Sequence, residues 1–227
     1  MKKTLFKILF QLSLRSVPGF MGKDEINEEP RNLLRNYKMI RSAKLSNQFA
    51  NTGKRDTLRL FLSEYKRVAR LFIDILWEMK HVPVLLPSDI TSQVETWLSA
   101  RAIQAAGKQA SGIVRGTRQK QEQRLFIIRK LMKEGKNPAK LQRKYDKTKI
   151  SKPNPNNIHP ELDSRFISID YENSTSFDIW LNLGSVGNGI HLKIPLKRTR
   201  ALNKWMEQGL LKTGARLSIN HTTLMID

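Results

Sequence analysis

Apolar residues recur every three or four positions between Asp56 and Lys80, at Leu58, Phe61, Leu62, Tyr65, Val68, Phe72, Ile75, Leu76 and Met79. That spacing predicts an amphipathic helix with one buried face, capped by Asp56 or Thr57. Arg59, Lys66, Arg67 and Arg70 fall off the stripe and give a basic outer face. Phe61, Tyr65, Phe72 and Trp77 share the apolar stripe, so core packing explains them better than base stacking. The run His81–Pro87, with prolines at its shoulders, ends the helix.

A second helix is expected from Ser88, Asp89 or Ser92, all good caps. Val94, Trp97, Leu98, Ile103, Ile113 and Val114 supply its apolar side. Its middle is made of small residues: Ala102, Ala105, Ala106, Gly107, Ala110, Ser111, Gly112 and Gly116. Small residues let another backbone approach, either a packed helix or a sugar-phosphate chain. Each glycine costs a helix about 1 kcal/mol against alanine, which predicts a bend or a close contact. A third helix is expected over Gln119–Lys136, with Leu125, Ile128, Leu131 and Met132 inward, Arg124, Arg129, Lys130 and Lys133 outward, and Gly135 as its stop. The two would form a basic helical hairpin. Lys136–Lys152 then reads as a polar arm and Lys152–Asn157 as a linker.

The period then changes from three-and-four to two. Arg165–Tyr171, Phe177–Leu183 and Gly189–Leu196 alternate apolar and polar positions, as half-buried strands do. Asn173–Ser176 and Gly184–Gly189 are hairpin turns. A short basic helix over Arg198–Gln208 and strands near Ala215–Asn220 and Thr222–Ile226 complete the chain. Upstream, Tyr37–Leu45 alternates loosely as a strand, and Asn51-Thr52-Gly53 is turn chemistry. Pro18, Gly19, Gly22 and Pro30 make residues 15–36 a linker containing a small acidic island. The expected fold is α+β: a small antiparallel β-barrel interrupted by a basic helical lobe of about three helices. The expected domains are an extension over 1–36, a first barrel part over 37–53, the helical lobe over 54–152 and a second barrel part over 153–227.

Charge changes what this fold is for. The 227 residues carry a formal net charge of +21, and the pI is near 10.4. Lys108–Lys152 holds 15 Lys and Arg against 3 Asp and Glu, a net +12 in one segment. Like charges at this density repel unless a polyanion lies nearby. Nucleic acid is the simplest partner, because each phosphate neutralised by Lys or Arg releases condensed counterion. The plainer explanation is a solvated helix face or a disordered basic arm. Arg101, Lys108, Arg115, Arg118, Lys120 and Arg124 are the candidate backbone contacts of the helical lobe. Lys193, Lys197, Arg198, Arg200 and Lys204 are those of the barrel edge.

Other chemistry finds little purchase. The chain has no cysteine, which excludes disulfide staples and thiolate metal sites. Gly184–Gly189 lacks the Gly-Lys-Ser/Thr ending of a phosphate-binding loop. His81, His159, His191 and His221 are isolated, and no cofactor or catalytic residue is assigned. Asp170 and Glu172 share a strand face, yet such pairs more often meet Lys or Arg than Mg2+. Met1–Leu14 only loosely imitates a secretory leader, because Lys7 and Gln11 interrupt it and no cleavage site precedes Pro18. No apolar run approaches the ~20 residues of a membrane span. The expectation is a prokaryotic cytoplasmic protein with no membrane partner, nucleoid-associated when bound to DNA; the two Asn-x-Ser/Thr sequons then carry no meaning.

The segment Ser99-Ala100-Arg101-Ala102-Ile103-Gln104-Ala105-Ala106-Gly107-Lys108-Gln109-Ala110-Ser111-Gly112-Ile113-Val114-Arg115 resembles the N-terminal half of the TnpB-like, transposon-encoded RNA-guided nucleases and the compact type V CRISPR effectors. So do Ile190–Thr199, Leu202-Asn203-Lys204 and Gly214-Ala215-Arg216-Leu217, over a likeness spanning roughly residues 37–227. The resemblance implies a wedge-like barrel and a recognition lobe that grip guide RNA and target DNA while base pairing reads sequence. The family's nuclease half, with three RuvC-like acidic residues and Cys-x-x-Cys zinc pairs, has no counterpart here. The expectation is a binding module that does not cut by itself: a split half served by a second, nuclease-bearing chain, a truncated copy, or a binding protein. A non-cutting DNA-binding regulator or transposition accessory, and a general basic RNA-binding protein, stand as alternatives.

Overall fold

The computed structural model describes residues 11–15, 40–43, 45, 49–148, 152–171, 177, 179–197, 199–200, 202–204, 210–220 and 223–226. The fold is α+β, and the chain divides into two compact units. One lies within Met1–Thr57, Glu161–Gly184 and Ile190–Asp227 and holds the strands. The other, Leu58–Pro160 with Ser185–Gly189, is helical.

In the helical unit, α1 runs Thr52–Glu78, its first turn belonging to the strand unit. It starts four residues before the expected cap, because the Asn51 side chain accepts the Lys54 N–H at 2.9 Å. Leu58, Phe61, Leu62, Tyr65, Val68, Ala69, Phe72, Ile73 and Leu76 are buried. The stripe is therefore as predicted through Phe72; Ile73 then takes the inward place expected of Ile75. A short helix α2, Ser88–Thr91, follows.

The two helices expected between Ser88 and Lys136 are instead this short turn and one continuous helix, α3, over Ala100–Lys133. Ser99 caps it, its hydroxyl accepting the Ala102 N–H at 3.1 Å. Gly112 and Gly116 do not break it; nothing within 4 Å of either requires a glycine. Rich in Ala, Gln, Arg and Lys, the surrounding sequence has enough helix propensity to carry both. Gly135 stops it, as expected. Its φ of +66° and the bonds Gly135 N–H to Met132 O and Lys136 N–H to Leu131 O form a Schellman end. The expected polar arm contains a further helix, α4, over Ala139–Thr148, capped by Asn137. The basic hairpin is thus the far end of α3 with α4.

Polar bonds brace this unit. Gln109 accepts from the Tyr65 hydroxyl at 3.1 Å and donates to the His159 carbonyl at 2.7 Å. Glu64, 13% exposed, takes two bonds from Arg67 and one from Thr96 at 2.5 Å, while Arg67 also donates to the Glu95 carbonyl. The turn Ser185–Gly189 is tied to the start of α3. Ser99 N–H donates to Val186 O at 2.9 Å, and the Ser99 hydroxyl to Ser185 O at 2.5 Å. Gly187 has φ +122°, and a Cβ there would sit 2.4 Å from the Trp97 carbonyl oxygen. Only glycine fits.

In the strand unit, β1 (Gln11–Arg15) pairs with β2 (Ile40–Ala43) and with β7 (Leu210–Asn220), antiparallel throughout. β3 (Glu161–Asp163) lies on the other side of β7, and β8 (Thr223–Ile226) pairs with its end. A separate meander is made by β4 (Ile167–Tyr171), β5 (Ile179–Leu183) and β6 (Leu192–Leu196). Its buried row is Ile167, Ile179, Leu181, Leu183, Ile194 and Leu196. Among the described residues the strands make two open sheets, not the closed barrel expected. Pro195 on edge strand β6 has no N–H with which to extend the ladder. Gln11–Arg15, read from sequence as the end of an apolar start, is a strand. The remainder of the expected linker 15–36 lies outside the described residues.

Two outcomes are expected. Gly187→Ala, which puts a Cβ against backbone at a left-handed φ, should destabilise the protein by about 2 kcal/mol or more in chemical denaturation. The Arg67 guanidinium holds the Glu64 carboxyl below its ordinary 4.5, against the opposing push of burial, with Thr96 helping. A depressed carboxylate contributes stability above its unfolded pKa and loses it as pH falls through the folded value. Stability measured against pH should therefore fall below about 4.5, and Glu64→Gln should flatten that acid limb.

Candidate nucleic-acid interface

At about 1.5 Å per residue, α3 is about 50 Å long. Its inner face is nearly stripped of long side chains: Ala102, Ala106, Gly107, Ala110, Ser111 and Val114 are all buried. A Cβ on Gly107 would lie 2.2 Å from Leu86 Cδ1, and the Ser111 hydroxyl bonds the Pro83 carbonyl. Of the two partners that small residues admit, packed protein takes this face.

The opposite face is different. At about 100° per residue, Arg101, Lys108, Gly112, Arg115, Gln119, Phe126, Lys130 and Lys133 all fall within about 40° of one line along the helix. Each of them is exposed. Arg101, Lys108 and Arg115 recur every seven residues, about 10 Å apart. Glu122 and Gln123 flank the line, and Lys130 meets Glu134 at 3.8 Å. Gly112, between Lys108 and Arg115, leaves open space on the line, and Gln119 and Phe126 separate these cations from Lys130 and Lys133.

Not every candidate belongs to it. Arg118 turns inward. Its guanidinium donates to the Trp77 carbonyl at 2.7 Å and the Lys80 carbonyl at 3.2 Å, and lies 5.6 Å from the Trp77 ring centroid. It caps the C-terminal end of α1, where carbonyls lack helical partners and the dipole is negative. Arg124 is half-buried on the inner side, and Lys120 is exposed on the flank. Met132, expected inward, is 58% exposed, whereas Ile128 is buried as expected and Leu125 and Leu131 are half-buried. On α1, the expected basic outer face is partly consumed: Arg67 is held by Glu64, and Lys66 is half-buried, its pKa lowered by that burial.

The strand unit carries its own exposed cations. Lys193 stands on the outer face of β6, opposite Asn182 in register and 5.1 Å from the Trp180 ring centroid. Lys54, which sequence reasoning passed over, donates to the Lys193 carbonyl at 2.6 Å. Lys197 is exposed after β6. Arg200 and Lys204, four apart, are exposed on a short turn of helix started by Thr199, whose hydroxyl accepts the Leu202 N–H at 3.2 Å, with Leu202 buried between them. Arg198 lies outside the described residues.

Asp170, half of the sequence-level carboxylate pair, accepts from Asn182 at 2.6 Å; Glu172 lies outside the described residues. Among the described residues no three His, Asp or Glu side chains gather closely enough to hold a metal ion, and no helix is long and apolar enough to cross a membrane. No family model, curated protein or solved structure matches the chain.

The inward role of Arg118 separates it from its neighbours. Arg118→Ala should lower stability by about 1–2 kcal/mol through the lost cap and cation–π contact. Arg115→Ala, on the solvent face, should stay within about 0.5 kcal/mol. Paired thermal melts check both.

Proposed function

We propose that this chain is a nucleic-acid-binding module that grips RNA or DNA by its sugar-phosphate backbone, with the outer line of α3 as its principal contact. The observation that carries the reading is the alignment of Arg101, Lys108 and Arg115 on one exposed face, continued by Lys130 and Lys133. Cations on one face of a helix neutralise phosphates of a strand lying along it and release their counterions. Such contacts position a strand without reading its sequence. The sequence resemblance gives the more specific form of the proposal: the recognition part of an RNA-guided, DNA-targeting system of TnpB-like or type V kind. There a guide RNA supplies specificity and a second, RuvC-like chain supplies cleavage. The exposed Lys193, Lys197, Arg200 and Lys204 of the strand unit are further backbone contacts in the same proposal. No residue is assigned a catalytic role.

The test is the salt dependence of RNA binding. Replacing both Lys108 and Arg115 with alanine should weaken binding and lower the slope of log K against log salt by about two phosphate contacts. Arg118→Ala, examined where it remains folded, should leave the slope unchanged. An unaltered slope in the Lys108/Arg115 double variant removes this face from the interface.

A further inference from the structure

Phe126 lies on the same outer line as the cations and is 67% exposed, the largest exposure of any big apolar side chain described. No aromatic or cation–π contact engages its ring among the described residues. One turn further along, Arg129 and Lys130 stand beside it, and Lys133 a turn beyond. An exposed ring set among cations is the composition of a stacking platform. The cations hold phosphates on either side while the ring face takes an unpaired base.

We infer that Phe126 stacks on an unpaired base, so that the far half of α3 takes a single-stranded segment of the bound nucleic acid. The inference rests on the reading of α3 as a nucleic-acid interface and adds to it the strandedness of the ligand. A duplex keeps its bases stacked inside and would gain nothing from Phe126 beyond phosphate contacts nearby. A lipid surface is the other polyanion that exposed apolar residues suit, but the arrangement opposes it. Ile127 and Met132, also exposed, lie roughly 100° and 120° around the helix from Phe126, on opposite sides. Three separated directions make no continuous apolar strip to enter a bilayer.

The experiment uses the full chain and three probes at fixed salt. These are a single-stranded RNA carrying 2-aminopurine, the same sequence in a blunt duplex, and vesicles of phosphatidylcholine with phosphatidylserine. The wild type should quench the 2-aminopurine on binding. Phe126→Ala should abolish the quench and weaken single-strand binding about 5- to 150-fold, the range for one base on one aromatic ring, while leaving duplex binding unchanged. Phe126→Trp should keep both. An unchanged thermal melt for Phe126→Ala excludes a folding defect. Equal losses on single strand and duplex, or none on either, overturn the inference while the proposed interface stands. Loss confined to vesicle binding also overturns it and makes the surface a membrane contact. Failure of the wild type to bind either nucleic acid overturns the proposed function itself.

Discussion

The first half of α3 presents little side chain inward, and this sets how closely other parts of the helical unit approach it. Ala102, Ala106, Gly107, Ala110 and Ser111 are buried along the first part of a helix about 50 Å long; even one methyl on Gly107 would strike the Leu86 side chain, and the Ser111 hydroxyl bonds the Pro83 carbonyl. On the opposite face the exposed long side chains include Arg101, Lys108, Arg115, Lys130 and Lys133, while Gln109 and Arg118 reach inward to bond neighbouring segments. α3 stays one helix because the helix propensity around Gly112 and Gly116 outweighs what the two glycines cost.

Polar bonds finish what packing begins. Gln109 uses both ends of its amide, joining Tyr65 to the His159 backbone. Arg118 closes the end of α1 from the side. Ser99 both caps α3 and holds the turn at Gly187 against it. The bonds of Arg118 and Ser99 lie at helix ends and a chain reversal, where backbone groups would otherwise be left unpaired. By contrast, the exposed ion pair of Lys152 with Asp74 at 2.9 Å contributes little to stability.

The sequence makes some of this legible and hides the rest for identifiable reasons. Three-and-four spacing reveals α1, and period-two alternation reveals β4, β5 and β6, because burial on one face is written directly into those residues. Gly135 is legible as a stop because a left-handed turn favours it. The joining of two expected helices into α3 is not legible, since Gly112 and Gly116 signal a bend that the surrounding propensity overrides. Nor is the pairing of strands: alternation tells which residues face inward, not which strand lies beside which, and among the described residues two sheets replace the expected barrel. Arg118 reads as one cation among many because the carbonyls it caps come from another helix. Phe126 goes unnoticed because a single aromatic off the apolar stripe has no periodicity to announce it.

Net charge of +21 would fit many nucleic-acid-binding proteins; the arrangement along α3 is more specific than the total. It places Arg101, Lys108 and Arg115 seven residues apart on one exposed face and keeps Arg118 for the protein's own structure. The most direct measurement is ultraviolet cross-linking during native purification, followed by identification of the linked peptides and sequencing of the linked nucleic acid. The account predicts cross-links within Arg101–Lys133, on the outer face, to one discrete RNA. Cross-links confined to residues elsewhere, or no nucleic acid at all, would contradict it.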